Sequence, residues 1–541
     1  MNNRSKYDIL FKNARIFTCD DANLYAHSFA IKDGNIAWLG TNREAKLIEG
    51  SSEKSIDLKG KRVIPGIVDA HMHAIMMAEY LRMIAVLPPE ILSIEALITA
   101  IKRECGKVPK GKIMWIQGWG YDEGKLKEKR APQRYDLDKG SEELPIVITR
   151  TCIHIIAVNS KAIEIAGITK ETPDPEGGKI GRDETGEPNG LFYENARFLI
   201  TRHIPQPTEE EIADNLAHLD EILVSQGITS ISELGEFGEY DFDSIFDHAI
   251  KKGMKSRITA YYLWEQIKHL HRFQIAQQDM DPQKQYRIAG VKLIGDGSIS
   301  GKTAWEYKSF LDGEYGMPTC TEKELEEAIA FCKDNKCQLA VHAMGARMID
   351  RVIEHVSLED PWTAGAGPHV RIEHVAEPTK EAIQGAAQMG IGFVTQPIFL
   401  YCEIESYLEN LGKERTKECY PICDWIEAGV RFCFSTDAPA TSWANPFAPF
   451  VNLKAAVMRK AWNGMDTGQR HKIEIETAIK LYTKESAEML GLADVGMIKE
   501  GYAADFIVLD RDMIKISPEE IDQVKVLATF IKGEKVYDAE S

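Results

Sequence analysis

Hydrophobic residues in the middle of the chain form short runs, rich in Val and Ile, that alternate with longer amphipathic stretches. This pattern is typical of parallel strands joined by crossover helices. We count eight such runs, at residues 62–70, 227–233, 256–263, 289–295, 337–343, 369–375, 391–396 and 430–438. Eight strands close a (β/α)8 barrel, so we predict an α/β fold built on a TIM barrel.

The two ends of the chain differ from the middle. YDILFKNARIFTC and SFAIKDGNIAWLG near the start, and ADFIVLD and TFIKGEKVYD near the end, consist of short β-like runs separated by turns, and Asp33-Gly34 marks a hairpin. We predict one small β-sandwich built from both termini, residues 1–60 plus 496–541. The barrel then takes residues 61–80 plus 227–495.

The gap between the first two barrel runs is too long for a single crossover helix. It carries its own strand-like segments, KIMWIQGWG and LPIVITR, and a turn-rich hairpin, GRDETGEPNGLFYE. We therefore predict a large insertion after barrel strand 1, residues 81–226, which caps the active site.

Composition narrows the class of partner. The 541 residues include 65 Lys and Arg against 83 Asp and Glu, a net charge of −18, which opposes binding to nucleic acid or to an anionic membrane. The ten cysteines are scattered without a CxxC pair, and no segment has the apolar length of a signal or membrane span. We expect a cytoplasmic protein that acts on a small molecule. Its oligomeric state, monomer or homodimer, stays open.

The segment GVKLIGDGSISGKTAW, residues 290–305, has two interpretations. As a phosphate-binding loop it fails on spacing, because Asp296 stands where a glycine is required. That failure also weighs against a nucleotide-dependent enzyme. As a barrel strand it presents Lys292 at the edge where barrel active sites form.

Histidines and one aspartate follow several predicted barrel strands. His71 and His73 are two apart on one strand, so both imidazoles share a face, and His342, His374 and Asp437 come at the ends of later strands. Taken singly, each histidine is also explained as a buried residue with satisfied hydrogen bonds. All five at the same rim point instead to a metal site.

Over nearly its whole length the chain resembles the amidohydrolase superfamily, in the YtcJ-like branch that includes N-substituted formamide deformylase. The resemblance rests on these motifs: VIPGIVDAHMH (63–73), GEPNGLFYENA (186–196), GITS (227–230), VKLIGDGSI (291–299), VHAMGAR (341–347), RIEH (371–374), STDAP (435–439) and GYAADFIVLD (501–510). It also implies a small β-sandwich assembled from both ends of the chain.

The resemblance implies a ligand set. His71, His73 and Asp437 would bind one divalent ion, and His342 and His374 a second ion or the first, with Zn²⁺ expected at so histidine-rich a site. Lys292 stands where several members carry a carboxylated lysine that bridges two metals. An ion pair between Lys292 and Asp296 is the open alternative, since an unmodified lysine is protonated at neutral pH and is a poor ligand.

The implied chemistry is hydrolysis, because bound zinc lowers the pKa of a water to about 7 and polarises a carbonyl. Asp437 would move the proton. His154 would hydrogen-bond the developing oxyanion, or be an ordinary strand histidine, and Cys152 stands where the branch usually has Asp. Ala346 and Lys302 replace an acid and an arginine of the family pattern, which bears on substrate preference.

Four aromatic residues of the insertion would line an apolar substrate pocket or, alternatively, belong to its core: Trp119, Tyr121, Phe192 and Tyr193. We predict a metal-dependent hydrolase acting on a non-peptide C–N amide bond of an N-acyl, N-formyl or related cyclic amide, and a deaminase would use the same parts. The alternative is a non-catalytic small-molecule-binding or regulatory protein that retains the barrel.

Overall fold

The computed structural model of the protein describes residues 6–151, 154–235, 242–270, 272–363 and 367–540. The chain divides into two compact units. Unit 1 comprises Met1–Ile75, Leu216–Ala438 and Phe447–Ser541, and unit 2 comprises Met76–Asn215 and Pro439–Pro446.

The strands of the described residues are, in chain order, β1 (Tyr7–Lys12), β2 (Arg15–Phe17), β3 (Tyr25–Ala26), β4 (Ser28–Lys32), β5 (Asn35–Gly40), β6 (Ser52–Asp57), β7 (Arg62–Pro65), β8 (Ile67–Met72), β9 (Ile84–Ala85), β10 (Ile116–Tyr121), β11 (Ile146–Arg150), β12 (Ile155–Val158), β13 (Gly178–Arg182), β14 (Pro188–Glu194), β15 (Ile228–Glu233), β16 (Arg257–Leu263), β17 (Tyr286–Ile294), β18 (Gln338–Ala343), β19 (Val370–His374), β20 (Gly392–Thr395), β21 (Arg431–Phe434), β22 (Phe506–Leu509), β23 (Val526–Ile531) and β24 (Glu534–Asp538).

The α-helices of the same residues are α1 (Asn42–Ile48), α2 (Ala74–Tyr80), α3 (Ile94–Cys105), α4 (Arg134–Asp138), α5 (Ser160–Ile165), α6 (Phe198–Thr201), α7 (Glu209–Ser225), α8 (Phe242–Lys251), α9 (Trp264–Ile267), α10 (Glu322–Asn335), α11 (Ala346–Val356), α12 (Lys380–Met389), α13 (Pro397–Cys402), α14 (Ile404–Leu411), α15 (Lys413–Glu418), α16 (Ile422–Ala428), α17 (Pro449–Met458), α18 (Ile475–Leu481) and α19 (Lys484–Met489). None of them is long and apolar enough to cross a membrane.

Unit 1 contains the predicted barrel. Its sheet has eight strands in the order β21-β20-β19-β18-β17-β16-β15-β8, and neighbouring strands are paired in parallel. The carboxyl end of β8 meets the segment that follows β21: Asp437 N donates to His71 O at 2.7 Å, and His73 N donates to Ala438 O at 2.8 Å. The predicted (β/α)8 architecture is confirmed.

The first hydrophobic run, residues 62–70, is not one strand as predicted. It breaks at Gly66, where β7 ends in one sheet and β8 begins in the barrel. A Cβ on Gly66 would overlap the side chain of Thr229, so the crossing between the two sheets requires glycine. A continuous run of apolar residues conceals this break because both strands are buried on both faces.

Both ends of the chain form the remaining sheets of unit 1. One has the order β5-β4-β1-β6 and the other β24-β23-β22-β7-β2-β3. Their shared core is aromatic, with the rings of Phe11 and Phe29 stacked at 4.9 Å and those of Phe506 and Phe530 stacked at 4.4 Å. The predicted sandwich from both termini is therefore present.

Unit 2 has a sheet of its own, in the order β13-β14-β12-β11-β10-β9. The predicted hairpin forms β13 and β14, which pair antiparallel. Unit 2 begins at Met76 and ends its main segment at Asn215, and it also takes in Pro439–Pro446, a segment that the sequence placed in the barrel. The capping role predicted for residues 81–226 stays a prediction.

Candidate metal centre

Three buried side chains of unit 1 present ligand atoms to one point. One ligand atom each of His71, His374 and Asp437 lies within 4.8 Å of the other two. Asp437 Oδ1 is 3.2 Å from His71 Nε2 and 3.0 Å from His73 Nε2, and its Oδ2 is 3.9 Å from His374 Nδ1. These are the donors that a divalent transition metal binds.

The barrel positions these residues at the carboxyl ends of its strands. His71 lies on β8, His73 is the first residue after β8, and His374 is the last residue of β19. Asp437 lies in the loop after β21, three residues past Phe434, rather than at the strand end as predicted. His374 and Asp437 have φ values of 76° and 59°, a left-handed backbone that non-glycine residues seldom adopt and that clusters at functional sites.

His342 completes the group of five. It lies on β18, and the centroid of its ring is 4.4 Å from that of His374. Its Nε2 is 2.9 Å from the carbonyl oxygen of Gly297 and 3.6 Å from Asp296 Oδ1. The structure thus brings together all the histidines that the sequence singled out for the metal.

Lys292 lies on β17 and is buried, and its Nζ has no hydrogen-bond partner among the described residues. The alternative interpretation of Lys292, an ion pair with Asp296, is wrong. Asp296 instead accepts hydrogen bonds from the backbone N–H groups of Trp305, Met344 and Gly345, which satisfy both carboxylate oxygens. Burying an amine that has no hydrogen-bond partner costs free energy. Because no described residue pairs with it, the Nζ of Lys292 is available for modification or for metal binding.

The phosphate-loop interpretation of residues 295–303 is also excluded. Gly297 and Thr303 close a compact loop through backbone hydrogen bonds, and no helix follows it until α10 begins at Glu322. A phosphate-binding loop leads directly into a helix N-terminus.

Burial and neighbouring charge set the protonation of the site. Burial lowers the pKa of His342 to about 4 and that of His374 well below its usual value, and burial lowers the pKa of Lys292 to about 8. Against the effect of burial, the neighbouring histidines lower the pKa of Asp437, and the Asp437 carboxylate raises that of His73. The lowered pKa values of His342 and His374 keep these two imidazoles neutral beside the ionised Asp437 carboxylate, as metal binding requires. The types of donor atom in the cluster therefore fit a divalent cation.

The sequence did not reveal the residues that hold the histidines. Glu373 Oε2 lies 2.6 Å from His71 Nδ1, and Gln396 Oε1 lies 2.9 Å from His374 Nδ1. Asp69 accepts hydrogen bonds from the backbone and the hydroxyl of Thr436. The only sequence signal for Glu373 was its place inside the RIEH motif. Its partner His71 is 302 positions away.

His154, the predicted oxyanion donor, lies in unit 2 just before β12. Its side chain is 60% exposed, and its Nδ1 is 2.8 Å from Glu194 Oε2. Cys152, where the family pattern has Asp, lies outside the described residues. The catalytic role of His154 stays a prediction.

Two of the four aromatic candidates, Tyr121 and Phe192, are fully buried in apolar clusters of unit 2. Trp119 packs on Tyr80 at 4.9 Å, and Tyr193 is partly buried. Tyr121 and Phe192 therefore belong to the apolar core of unit 2. A role of the four residues toward substrate stays a prediction.

The two departures from the family pattern have different surroundings. Ala346 begins α11, and its N–H donates to the buried carboxyl group of Glu306 at 3.3 Å. Lys302 is exposed and forms an ion pair with Asp312 at 2.5 Å.

Comparison with known proteins places this site in context. A sequence profile of the amidohydrolase family matches residues 54–537. The chain is 28% identical to YtcJ of Bacillus subtilis (strain 168), over 94% of this chain and 95% of that protein. It is 25% identical to the N-substituted formamide deformylase of Arthrobacter pascens, over 98% of each. The crystal structure of a metal-dependent hydrolase from Pyrococcus horikoshii OT3 is similar, with a TM-score of 0.74 and 26% identity over 94% of this chain and 99% of that one.

Proposed function

Because the chain belongs to the amidohydrolase family, we propose that it is a metal-dependent hydrolase that cleaves a carbon–nitrogen amide bond of a small molecule. The observation that carries the proposal is the meeting of His71, His73, His342, His374 and Asp437 in one buried cluster. The similarity to a formamide deformylase over 98% of both chains favours an N-formyl or N-acyl amide, or a related cyclic amide.

Two groups of residues would hold the metal. His71, His73 and Asp437 would bind one ion, and His342 and His374 would bind a second ion or support the first. A ligand atom of His374 also lies within 4.8 Å of those of His71 and Asp437. The unpartnered Nζ of Lys292 supports a carboxylated side chain that would help to hold a second ion. Zinc suits this set of imidazoles. When bound, a divalent ion activates water at neutral pH and polarises the scissile carbonyl.

Asp437 is the residue that moves the proton. Its Oδ1 faces both His71 and His73, whereas its Oδ2 has a longer contact of 3.9 Å to His374. One oxygen can thus serve as ligand while the other takes a proton from water and passes it to the leaving amine.

Metal analysis combined with an activity panel tests the proposal. Protein purified without added metal is analysed for zinc, manganese, iron and cobalt, stripped with a chelator, and reloaded with each metal. Every form is then assayed on N-formyl amines, N-acyl amines, cyclic amides and aminopurines. We expect amide turnover that disappears on stripping and returns on reloading. Fully loaded protein that is inert towards every amide would contradict the proposal and favour a binding protein, and turnover of the purines alone would favour a deaminase.

A further inference from the structure

A chain of buried polar side chains runs from His71 into the interior of the barrel. Its first member, Glu373, has one oxygen 2.6 Å from His71 Nδ1 and the other 2.5 Å from Arg371 Nε. Glu373 and Arg371 are completely buried, and His71 is 1% exposed. Each end of this charge pair is therefore hydrogen-bonded and shielded from water.

Arg371 is fixed in turn by the barrel around it. Its Nη2 donates to the carbonyl oxygen of Ala70 at 2.8 Å, and its Nη1 lies 3.4 Å from the hydroxyl of Tyr261. The guanidinium also lies over the Tyr261 ring, 4.7 Å from its centroid. The Tyr261 hydroxyl donates to Gln338 Oε1 at 2.6 Å.

Gln338 lies at the far end of this series of hydrogen-bonded side chains. It begins β18, so it lies at the opposite end of that strand from His342. Its Nε2 donates to the carbonyl oxygens of Pro368 at 2.6 Å and Met489 at 3.1 Å. The hydrogen bonds thus extend without a break from the candidate metal ligand to fixed backbone at the other end of the barrel.

We propose that Glu373 and Arg371 are positioning residues that fix the ring orientation and tautomer of His71, so that Nε2 is its metal-binding atom. A carboxylate that accepts the Nδ1 proton leaves the lone pair on Nε2, the nitrogen that lies 3.2 Å from Asp437 Oδ1. This inference rests on the proposed metal-dependent function and identifies the residues that orient one of its metal ligands. It assigns no contact with substrate to either residue.

Unit 1 contains a second buried ion pair, Arg257 and Asp505, which serves for comparison. Arg257 Nη2 lies 2.8 Å from Asp505 Oδ2, and both side chains are buried. Asp505 also accepts a hydrogen bond from the backbone of Lys532. Among the described residues, neither partner of this pair contacts a candidate metal ligand. Asp505→Asn is therefore a matched control for Glu373→Gln.

The test measures metal binding without substrate. Zinc affinity is determined by competition with a chromophoric chelator, and the visible absorption spectrum is recorded after cobalt(II) substitution. We expect Glu373→Gln to bind zinc about 10- to 100-fold more weakly, with altered cobalt bands, because the charged partner of Nδ1 is lost. Asp505→Asn should lose thermal stability and keep both the affinity and the spectrum.

A milder variant provides a second test in case Glu373→Gln does not fold. Tyr261→Phe removes only the hydroxyl between Arg371 and Gln338, and we expect it to weaken zinc binding severalfold while the protein stays folded. The proposal is overturned if folded Glu373→Gln keeps the wild-type zinc affinity and cobalt spectrum. If Glu373→Gln does not fold, the same result in Tyr261→Phe overturns it. A loss of zinc affinity in Asp505→Asn as large as that in Glu373→Gln would also overturn it. Because these measurements use no substrate, wild-type protein that binds zinc but hydrolyses no amide contradicts the proposed function alone.

Discussion

Nε2 of His73 lies 3.0 Å from Oδ1 of Asp437, although the two residues are 364 positions apart along the chain. His73 follows the first barrel strand and Asp437 follows the last, so the contact exists only because the two ends of the eight-stranded sheet meet. Folding of the whole barrel is thus a condition for assembling the site.

Replacement of Asp437 by Asn should strongly lower turnover without unfolding the protein. Asn keeps the shape of the side chain but takes no proton, and loss of a general base typically lowers the rate by about 10²- to 10⁴-fold. The measurement is kcat/KM of the metal-loaded variant on the best amide of the panel, with thermal unfolding recorded alongside.

Asp220→Asn is the matched control for that substitution. Asp220 is also buried, and it accepts hydrogen bonds from the backbone of Lys255 and Ser256, outside the candidate metal centre. Its substitution should lower stability and leave kcat/KM unchanged. Equal activity of Asp437→Asn and the wild type would remove Asp437 from the mechanism.

The sequence predicted the barrel, and it predicted that the candidate ligands lie together, because both depend on local patterns. Short Val- and Ile-rich runs mark buried parallel strands, and ligands at strand ends converge once the strands close into a barrel. His71 and His73 share a face for the same local reason, the alternation of side chains along a strand.

The remaining features depend on contacts between distant segments. Glu373 in RIEH resembles any buried strand residue until His71, 302 positions away, is placed beside it. The break at Gly66 appears only when Thr229 is packed against it. Asp296 looked like the partner of Lys292 by proximity in sequence, yet backbone N–H groups satisfy its carboxylate. Periodicity carries no information about such pairs.

Lys292→Met should lower metal content and raise the stability of the metal-free protein. The substitution removes a buried amine whose Nζ has no partner among the described residues, and burial of such a group costs about 1 kcal/mol or more. If the carboxylated side chain helps to hold a second ion, elemental analysis should show fewer ions per chain. A variant with unchanged metal content and a lower melting temperature would exclude this role.

Gly290→Ala should strongly destabilise the barrel. Gly290 lies on β17 opposite Gln338 of β18, and a Cβ there would overlap the carbonyl carbon and oxygen of Gln338. Forcing atoms into a packed core costs typically about 1–3 kcal/mol, and here the obstacle is backbone that cannot rotate away. Gly50→Ala is the control, because nothing lies within 4 Å of its added Cβ. Denaturant unfolding that separates the variants by less than about 0.5 kcal/mol would contradict this expectation.

Glu306 should make the protein less stable as the pH rises. Its side chain is 2% exposed, and burial, reinforced by neighbouring Glu377, raises the pKa of Glu306 above its ordinary value of 4.5, although Arg415 lies 3.5 Å away and acts in the opposite direction. Arg415 is already paired with both oxygens of Glu377, at 2.7 Å each, so it neutralises Glu306 incompletely.

The sign of the effect follows from proton binding. Above the ordinary pKa the unfolded chain releases the Glu306 proton while the folded protein retains it, so unfolding releases a proton and stability falls as pH increases towards the raised pKa. Glu306→Gln is neutral at every pH and should gain stability relative to the wild type between about pH 5 and about pH 8, by at most about 1.4 kcal/mol per pH unit. Thermal unfolding across this range measures the difference, and Glu427→Gln, at an exposed position, is the control. A difference between Glu306→Gln and the wild type that is constant with pH would show that Glu306 is ionised in the folded protein.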